Sequence, residues 1–407
     1  MRFGLAILSA LLLIVGCKEK KQTNNLSEGI WLVELNVMDN QELPFNLTVA
    51  KKDDGSYKMQ IYNAEEVIDV DEIEIKGNSI RMQTPVFEGY LAGTFTENKI
   101  QGLFIKESLD RIVPFTAVYG IEDRFPAKLK KTERNVTGIW ETYFSPDLEE
   151  EYVGKGIFLQ EDSKVTGTFR TTTGDYRFLE GILDGDSLKL SSFDGAHAFL
   201  FTAKVTDSSM NGNFYSGNHF KEPFVANRND GFELPNPDSL TFLNEGYDKL
   251  AFSFPDSHGN MISLSDKKYQ NKVVIVQLMG TWCPNCLDET KFLVDYLKQD
   301  SNVEVIGLAF ESAKTKEIAF KAINRLKERV AVNYPILLAQ YGSYDKKKAQ
   351  EKLPMLNHVL SYPTTIFIDK NGDVRKIHTG FNGPATGEKY VEFKKDFNAL
   401  ITQLSNE

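Results

Sequence analysis

Cysteine is nearly absent, with three residues in a chain of 407. That is too few to staple a small secreted scaffold. Cations are outnumbered, 47 Lys and Arg against 57 Asp and Glu, for a net charge of -10. Nucleic acid is therefore excluded as the main partner, because phosphate contacts need a basic surface. Only five histidines occur. Neither His197 nor His219 has a second histidine three to five residues on, and neither joins a Cys/His/Asp cluster, so no metal is expected. Apart from its first residues the chain has no long apolar run, which excludes a polytopic membrane protein. What is present is globular: 41% hydrophobic and 26% charged residues, in a length suited to two or three domains.

The first cysteine ends the segment MRFGLAILSALLLIVGC. A single cation, Arg2, precedes the apolar stretch from Leu5 to Val15. That stretch is too short to span a bilayer, which takes about 20 residues, but it has the form of a secretory signal. Ile14-Val15-Gly16-Cys17 resembles the lipobox of bacterial lipoproteins, which implies cleavage before Cys17 and lipidation of its thiol. The simpler alternative is an ordinary signal peptide with an incidental cysteine. Residues 1–16 are then the signal and 17–26 a polar tether, with attachment to a membrane through lipid. Lys18, where an aspartate could stand, resembles lipoproteins sent to the outer membrane.

Beyond the tether the chain repeats itself. Gly29-Ile30-Trp31 returns as Gly138-Ile139-Trp140, and Gly77-Asn78-Ser79-Ile80 as Gly185-Asp186-Ser187-Leu188. Gly102-Leu103-Phe104 returns as Gly212-Asn213-Phe214, and Pro114-Phe115-Thr116-Ala117 as Pro223-Phe224-Val225-Ala226. Four anchors in order, all offset by 108–110 residues, point to a duplication of about 27–120 as 136–228. Within each copy, short alternating runs such as YKMQIY and SLKLSS stand between turn signals such as Asp54-Gly55 and Gly185-Asp186. Residues 27–228 are therefore expected to form an antiparallel all-β region, a barrel or a sandwich, built from two similar halves. Its aromatic residues read as core, and its role as a spacer or recognition module.

Residues 229–247, with Pro235, Pro237 and several turn formers, read as a linker. From 248 to 407 strands alternate with helical patterns, the mark of an α/β unit. KVVIVQLM is a continuous apolar run suited to a buried central strand, VEVIGLAF reads as another buried strand, and LAFSFPD with NMISLSD reads as a leading hairpin. Helices are expected over 285–299, 313–329 and 386–404. TTIFID and VRKIHTG should pair across Asn371-Gly372.

The other two cysteines stand in Gly280-Thr281-Trp282-Cys283-Pro284-Asn285-Cys286, where the central strand gives way to a helix. This motif resembles the redox site of the thioredoxin fold, and its setting resembles the TlpA/ResA-like disulfide reductases. The spacing has a physical sense. Cys283 would sit at the helix N-terminus and Cys286 one turn in, within disulfide reach. Free N–H groups and the positive end of the helix dipole favour the Cys283 thiolate. Such settings bring a thiol pKa from about 8.5 to roughly 3.5–7.5. Pro284 suits the first turn, where a missing N–H costs nothing.

A second motif, Tyr362-Pro363-Thr364-Thr365-Ile366-Phe367-Ile368-Asp369, matches the family's proline-then-strand segment. The resemblance implies a cis proline beside the dithiol, with the preceding backbone open to substrate. It thus places Trp282, Pro284, Tyr362, Pro363 and Thr364 in substrate binding. Gln277 stands where thioredoxins carry a buried Asp and TlpA-like proteins often a neutral amide. Glu289, three residues after Cys286, matches an acid of TlpA-like proteins. It is assigned to proton transfer at the dithiol, against the alternative of a solvated acid that stabilises the helix start. Lys291 departs from the proline of many relatives, which puts the usual helix kink in doubt.

Half a zinc site is a poor alternative, because the remaining thiol is Cys17. A merely structural disulfide would constrain little chain. Peroxiredoxins place a proline and a hydroxyl residue seven and three positions before their reactive cysteine; here those positions hold Val276 and Gly280. The expectation is a lipid-anchored thiol–disulfide oxidoreductase, a reductase acting on envelope proteins that carry a disulfide or a thiol pair. It would need no cofactor beyond the dithiol, and an envelope thiol donor would recharge it. A thiol peroxidase and a non-enzymatic binding lipoprotein are the alternative readings.

Overall fold

The computed structural model of the protein describes residues 25–125, 130, 132–299 and 302–407; Cys17 and its leader lie outside them. Alternation in the sequence becomes alternation in burial, as in Tyr57–Asn63, where every second residue is buried. The first nine strands form one antiparallel sheet in which Gly29–Asn36 pairs with both Glu42–Lys51 and Arg111–Tyr119. Its two edge strands, Glu66–Val70 and Glu72–Lys76, are separated in the chain by Asp71 alone, so the sheet curls into a barrel-like form.

The second sheet closes fully. Gly138–Phe144 pairs with Tyr152–Glu161 on one side and with Phe220–Arg228 on the other. Lys164–Thr171 joins Tyr152–Glu161 to Leu179–Asp184, completing the ring. The repeated anchors take matching places. Gly29 and Gly138 have φ of 125° and 126°. Trp31 and Trp140 are both fully buried. Each donates its indole N–H to the carbonyl four residues earlier, Ser27 at 3.1 Å and Val136 at 2.9 Å.

The barrels share side chains. Phe193 of the second stacks on Phe45 of the first at 4.4 Å and meets the edge of Phe104 at 5.0 Å. The Asn63 amide bonds the Phe193 backbone in both directions, at 2.9 and 3.1 Å.

The C-terminal domain is an α/β unit. Val273–Met279, buried at every position, lies at the centre of a five-stranded sheet. It runs parallel to Val303–Phe310 and antiparallel to Thr364–Ile368. Ile336–Gln340 and Val374–Thr379 form the edges. Helices α1 (Pro284–Leu297), α2 (Lys316–Val330), α3 (Lys346–Lys352) and α4 (Glu388–Asn406) follow in chain order. The leading hairpin pairs Ser253–Pro255 with Met261–Ser263. Ile336–Gln340 and α3 were not anticipated from the sequence. The first is a five-residue run, too short for periodicity to distinguish.

The stretch expected as a linker is pinned along its length. Glu233 accepts from Lys155 and Arg170 of the second barrel, at 2.7 and 3.1 Å. Asp238 pairs with Lys376 and His378, each at 2.7 Å. Thr379 donates to Thr241 at 2.9 Å, and the Asn244 amide reaches the Met355 carbonyl at 2.8 Å. Polar side chains of the segment are the groups that bind it down.

Arg177 ties the three parts together. Its buried guanidinium pairs with Glu66 of the first barrel and with Asp288 of α1, and lies 3.3 Å from Asp194 of the second barrel. It also donates to the Pro284 carbonyl at 3.2 Å. Burial opposes the charge, but Asp288, Glu66 and Asp194 outweigh it and hold the arginine protonated. Removing one partner of a buried pair costs about 3–5 kcal/mol, because the other charge is left uncompensated. Arg177→Met should therefore lower stability by about that much. The loss should shrink in acid, where the stranded carboxylates protonate. Denaturant titrations of both proteins at two pH values measure it.

Candidate redox site

Cys283 caps α1. Its backbone is extended (φ -101°, ψ 115°), and its sulfur accepts the Cys286 amide at 3.1 Å. Cys286 sits one turn further, its Cα 5.2 Å from that of Cys283, and the sulfurs are joined as a disulfide. Cys283 keeps 6% of its surface exposed and Cys286 none. Cys283 is therefore the outer residue of the pair, and Cys286 lies behind it.

Tyr362-Pro363 is a cis peptide, and the Tyr362 carbonyl lies 3.4 Å from the Cys283 sulfur, where a reduced thiol can donate to it. Trp282 packs between Tyr344 at 5.0 Å and Tyr362 at 5.8 Å, with its indole N–H on the Phe310 carbonyl. A Cβ on Gly280 would collide with that indole, so the residue before Thr281 has to be glycine. Cys283, Trp282, Tyr362 and Pro363 thus come together. Thr364 turns inward, buried, with its hydroxyl on the Ser361 carbonyl. Pro284 is buried against the barrel side, its carbonyl taken by Arg177.

Glu289 is 1% exposed, so it is not a solvated helix-start acid. One carboxylate oxygen accepts from Gln277 at 2.8 Å and the other from Thr365 at 2.5 Å. The Gln277 amide also reaches the Cys286 carbonyl at 3.3 Å, and its oxygen accepts from Thr290 at 3.2 Å. Burial pushes the Glu289 carboxyl up to about 7, against the pull of Thr365 and Gln277. Glu289 makes no hydrogen bond to either sulfur among the described residues. Its link to the dithiol runs through Gln277 and the backbone of Cys286. α1 runs unbroken through Lys291.

Several residues of the site escaped the sequence reading. Glu311 directly follows the buried strand Val303–Phe310 and accepts from the Thr281 amide and hydroxyl at 2.8 and 2.7 Å. Burial raises it to about 7 as well. An acid directly after the apolar run 305–310 was the available signal. The hairpin at 171–175 leans on the redox motif from the second barrel. Asn285, between the two cysteines, donates to the Asp175 carbonyl at 3.1 Å, and Ser361 donates to the Thr173 carbonyl at 2.7 Å. No local pattern announces such contacts. Among the described residues no group of His, Cys, Asp and Glu could hold a metal ion.

Residues 246–392 match the Redoxin family. The chain is 29% identical over 139 residues to thioredoxin-like protein YneN of Bacillus subtilis, covering 34% of this chain and 73% of that protein. It is 28% identical over 144 residues to the thiol-disulfide oxidoreductase ResA of the same organism, covering 34% and 69%. It is 27% identical over 128 residues to the thiol:disulfide interchange protein DsbE of Escherichia coli, covering 31% and 60%. Among solved structures, a thiol-disulfide oxidoreductase from Bacteroides fragilis aligns with 19% identity and TM-score 0.27, over 36% of this chain and 99% of that one. With the dithiol capping α1 and the redoxin match over residues 246–392, the C-terminal domain has the thioredoxin fold and is similar in sequence to the TlpA/ResA-like thiol-disulfide oxidoreductases.

Proposed function

We propose that the protein reduces disulfides of envelope proteins, with Cys283 as nucleophile and Cys286 as resolving thiol. The observation that carries the reading is the asymmetry of the pair: one sulfur at a helix N-cap holding an amide N–H, the other fully buried. The Cys283 thiolate attacks one sulfur of the substrate disulfide, forming a mixed disulfide and releasing the other as a thiolate that takes up a proton. Cys286, deprotonated, then attacks the Cys283 sulfur and expels the second substrate thiol. The Cys283–Cys286 disulfide is left, and an envelope thiol donor returns it to the dithiol with two electrons and two protons. No further cofactor enters this cycle.

The Tyr362 carbonyl beside the Cys283 sulfur is the backbone edge proposed to meet the substrate, flanked by Trp282 and Pro363. Cys17 is proposed as a lipid anchor on the strength of its lipobox, placing the protein at the envelope face of a membrane, the outer one by the residue at 18. No helix among the described residues is long and apolar enough to cross a membrane. The two barrels are proposed to be copies of one module. Glu289 is proposed to set the proton affinity of Cys286 through Gln277, accepting its proton as that sulfur becomes the second nucleophile.

Cys286→Ser should accumulate reducible adducts with substrate proteins on non-reducing gels, because the attacking thiol remains and the resolving thiol is gone. Adding Cys283→Ala should abolish them. Equal adducts in both backgrounds would reverse the assignment.

Glu289→Gln should shift the pH profile of thiol alkylation in the reduced protein; an unshifted profile would make the acid structural. Its stability also has a defined sign. The folded carboxyl is raised to about 7 from 4.5. Below the unfolded value the protonated acid costs nothing. As pH climbs from there to about 7, the unfolded chain ionises first and the folded state loses stability. The advantage of wild type over Glu289→Gln should thus shrink by up to about 3 kcal/mol across that window. Denaturant titrations at pH 4 to 8 provide the measurement (about one pH unit per step suffices).

A further inference from the structure

A cavity of about 520 Å³ opens where both barrels meet the redox domain, lined by Lys106 and Arg111, by Phe199, Phe214 and His219, and by Trp282. Lys106 and Arg111 belong to the first barrel, the next three to the second, and Trp282 is the residue before Cys283. The cavity therefore ends against the redox motif.

Its charge is unusual for this acidic chain. The Lys106 ammonium has three donors, and the contact it makes is with the Ala196 carbonyl at 2.8 Å. The Arg111 guanidinium has no hydrogen bond or ion pair among the described residues. His219 has none either. The nearby acids are engaged elsewhere: Glu88 with Ser108, Glu107 with Tyr90, and Asp194 with Arg177 and the amides of Ala196 and His197. The three basic groups feel one another. Burial and then Arg111 bring Lys106 down to about 8, and burial, Arg111 and Lys106 bring His219 down to about 4. The site holds cations and no anion. The adjoining cavity, which shares Lys106 and Trp282, sets Glu72, Glu88, Glu107 and Glu311 against Arg81, Lys321 and Arg325, whereas no carboxylate lines this one.

We propose that this cavity receives an acidic peptide segment of the substrate protein, its carboxylate on Lys106 and Arg111 and an adjacent apolar side chain against Phe199 and Phe214. The occupant is a peptide because an inorganic anion would leave the aromatic walls unfilled, whereas a carboxylate beside an apolar side chain fits both surfaces. Trp282 then joins recognition to chemistry, holding one end of the segment while the substrate disulfide lies over Cys283. The barrels supply sequence selectivity that the redox domain alone lacks. This inference rests on the reductase reading and adds its substrate class.

The test uses the full chain, reduced, with two synthetic peptides of identical disulfide and aromatic content, one flanked by Asp and Glu and the other by Gln and Asn. The acidic peptide should be reduced faster by about tenfold or more at low salt. That ratio should fall toward one at high salt and in both Lys106→Gln and Arg111→Gln. Melting curves check that the variants fold, and the salt titration needs no variant. If both peptides are reduced equally fast, or the ratio persists in the variants, the cavity assignment fails while the reductase reading stands. Equal suppression of both rates by inorganic phosphate would make this a small-anion site and overturn the peptide. If wild type reduces neither peptide, the reductase reading fails. Fluorescence anisotropy of labelled, cysteine-free versions of the peptides then decides the cavity alone: selective binding of the acidic one, lost in Arg111→Gln, upholds it, and equal binding ends it.

Discussion

Everything at the redox end of this molecule depends on a guanidinium that cannot leave. Arg177 is buried where two barrels and the first turn of α1 converge, and it pairs with a carboxylate from each. Ion pairs in such places contribute little net stability, because desolvation offsets the attraction. Their effect is on specificity. Three acids in a dry space repel unless the cation sits among them, so only one mutual arrangement of the three bodies is free of a large penalty. Arg325 and Arg329 of α2, which pair with Glu72 and Asp71 at 2.9 and 2.7 Å, extend the same logic to the barrel's edge corner.

Around that anchor two buried acids bond residues next to the redox motif. Glu289 lies behind Cys286 and Glu311 in front of Thr281, each satisfied by hydroxyl or amide donors rather than by a cation. Carboxyl groups neutralised this way stay near their switching point, while an ion pair would have locked them as anions. Burial accordingly holds both carboxyls well above the usual carboxylate range.

What could be read from the sequence divides along chain distance. Cys283, Cys286, Pro363 and the strand Val273–Met279 are each marked by a few consecutive residues, and the fold sets the cysteines at the start of α1, the cis proline beside them and the strand at the centre of the sheet. The barrels were visible as alternation and repetition, although closure of the second and not the first depended on pairing partners that no local pattern encodes. Arg177 and Asp288 lie 111 residues apart, and Arg170 and Asn382 lie 212 apart. A buried arginine looks the same in sequence as an exposed one. The polar stretch at 229–247 gives no sign of its contacts for the related reason that a side chain able to bond water can equally bond a neighbouring domain.

Gly174 (φ 146°) faces Asn285, and any Cβ there would collide with the Asn285 amide that reaches over to the Asp175 carbonyl. Asn285, one of the two residues between the cysteines, is thus tied to a turn more than a hundred residues away. A side chain at 174 would push that amide out of the space it fills, and the φ at 174 favours glycine whatever stands at 285. A substitution in the barrel turn therefore reaches the helix start between the cysteines without any change in the redox domain's own sequence.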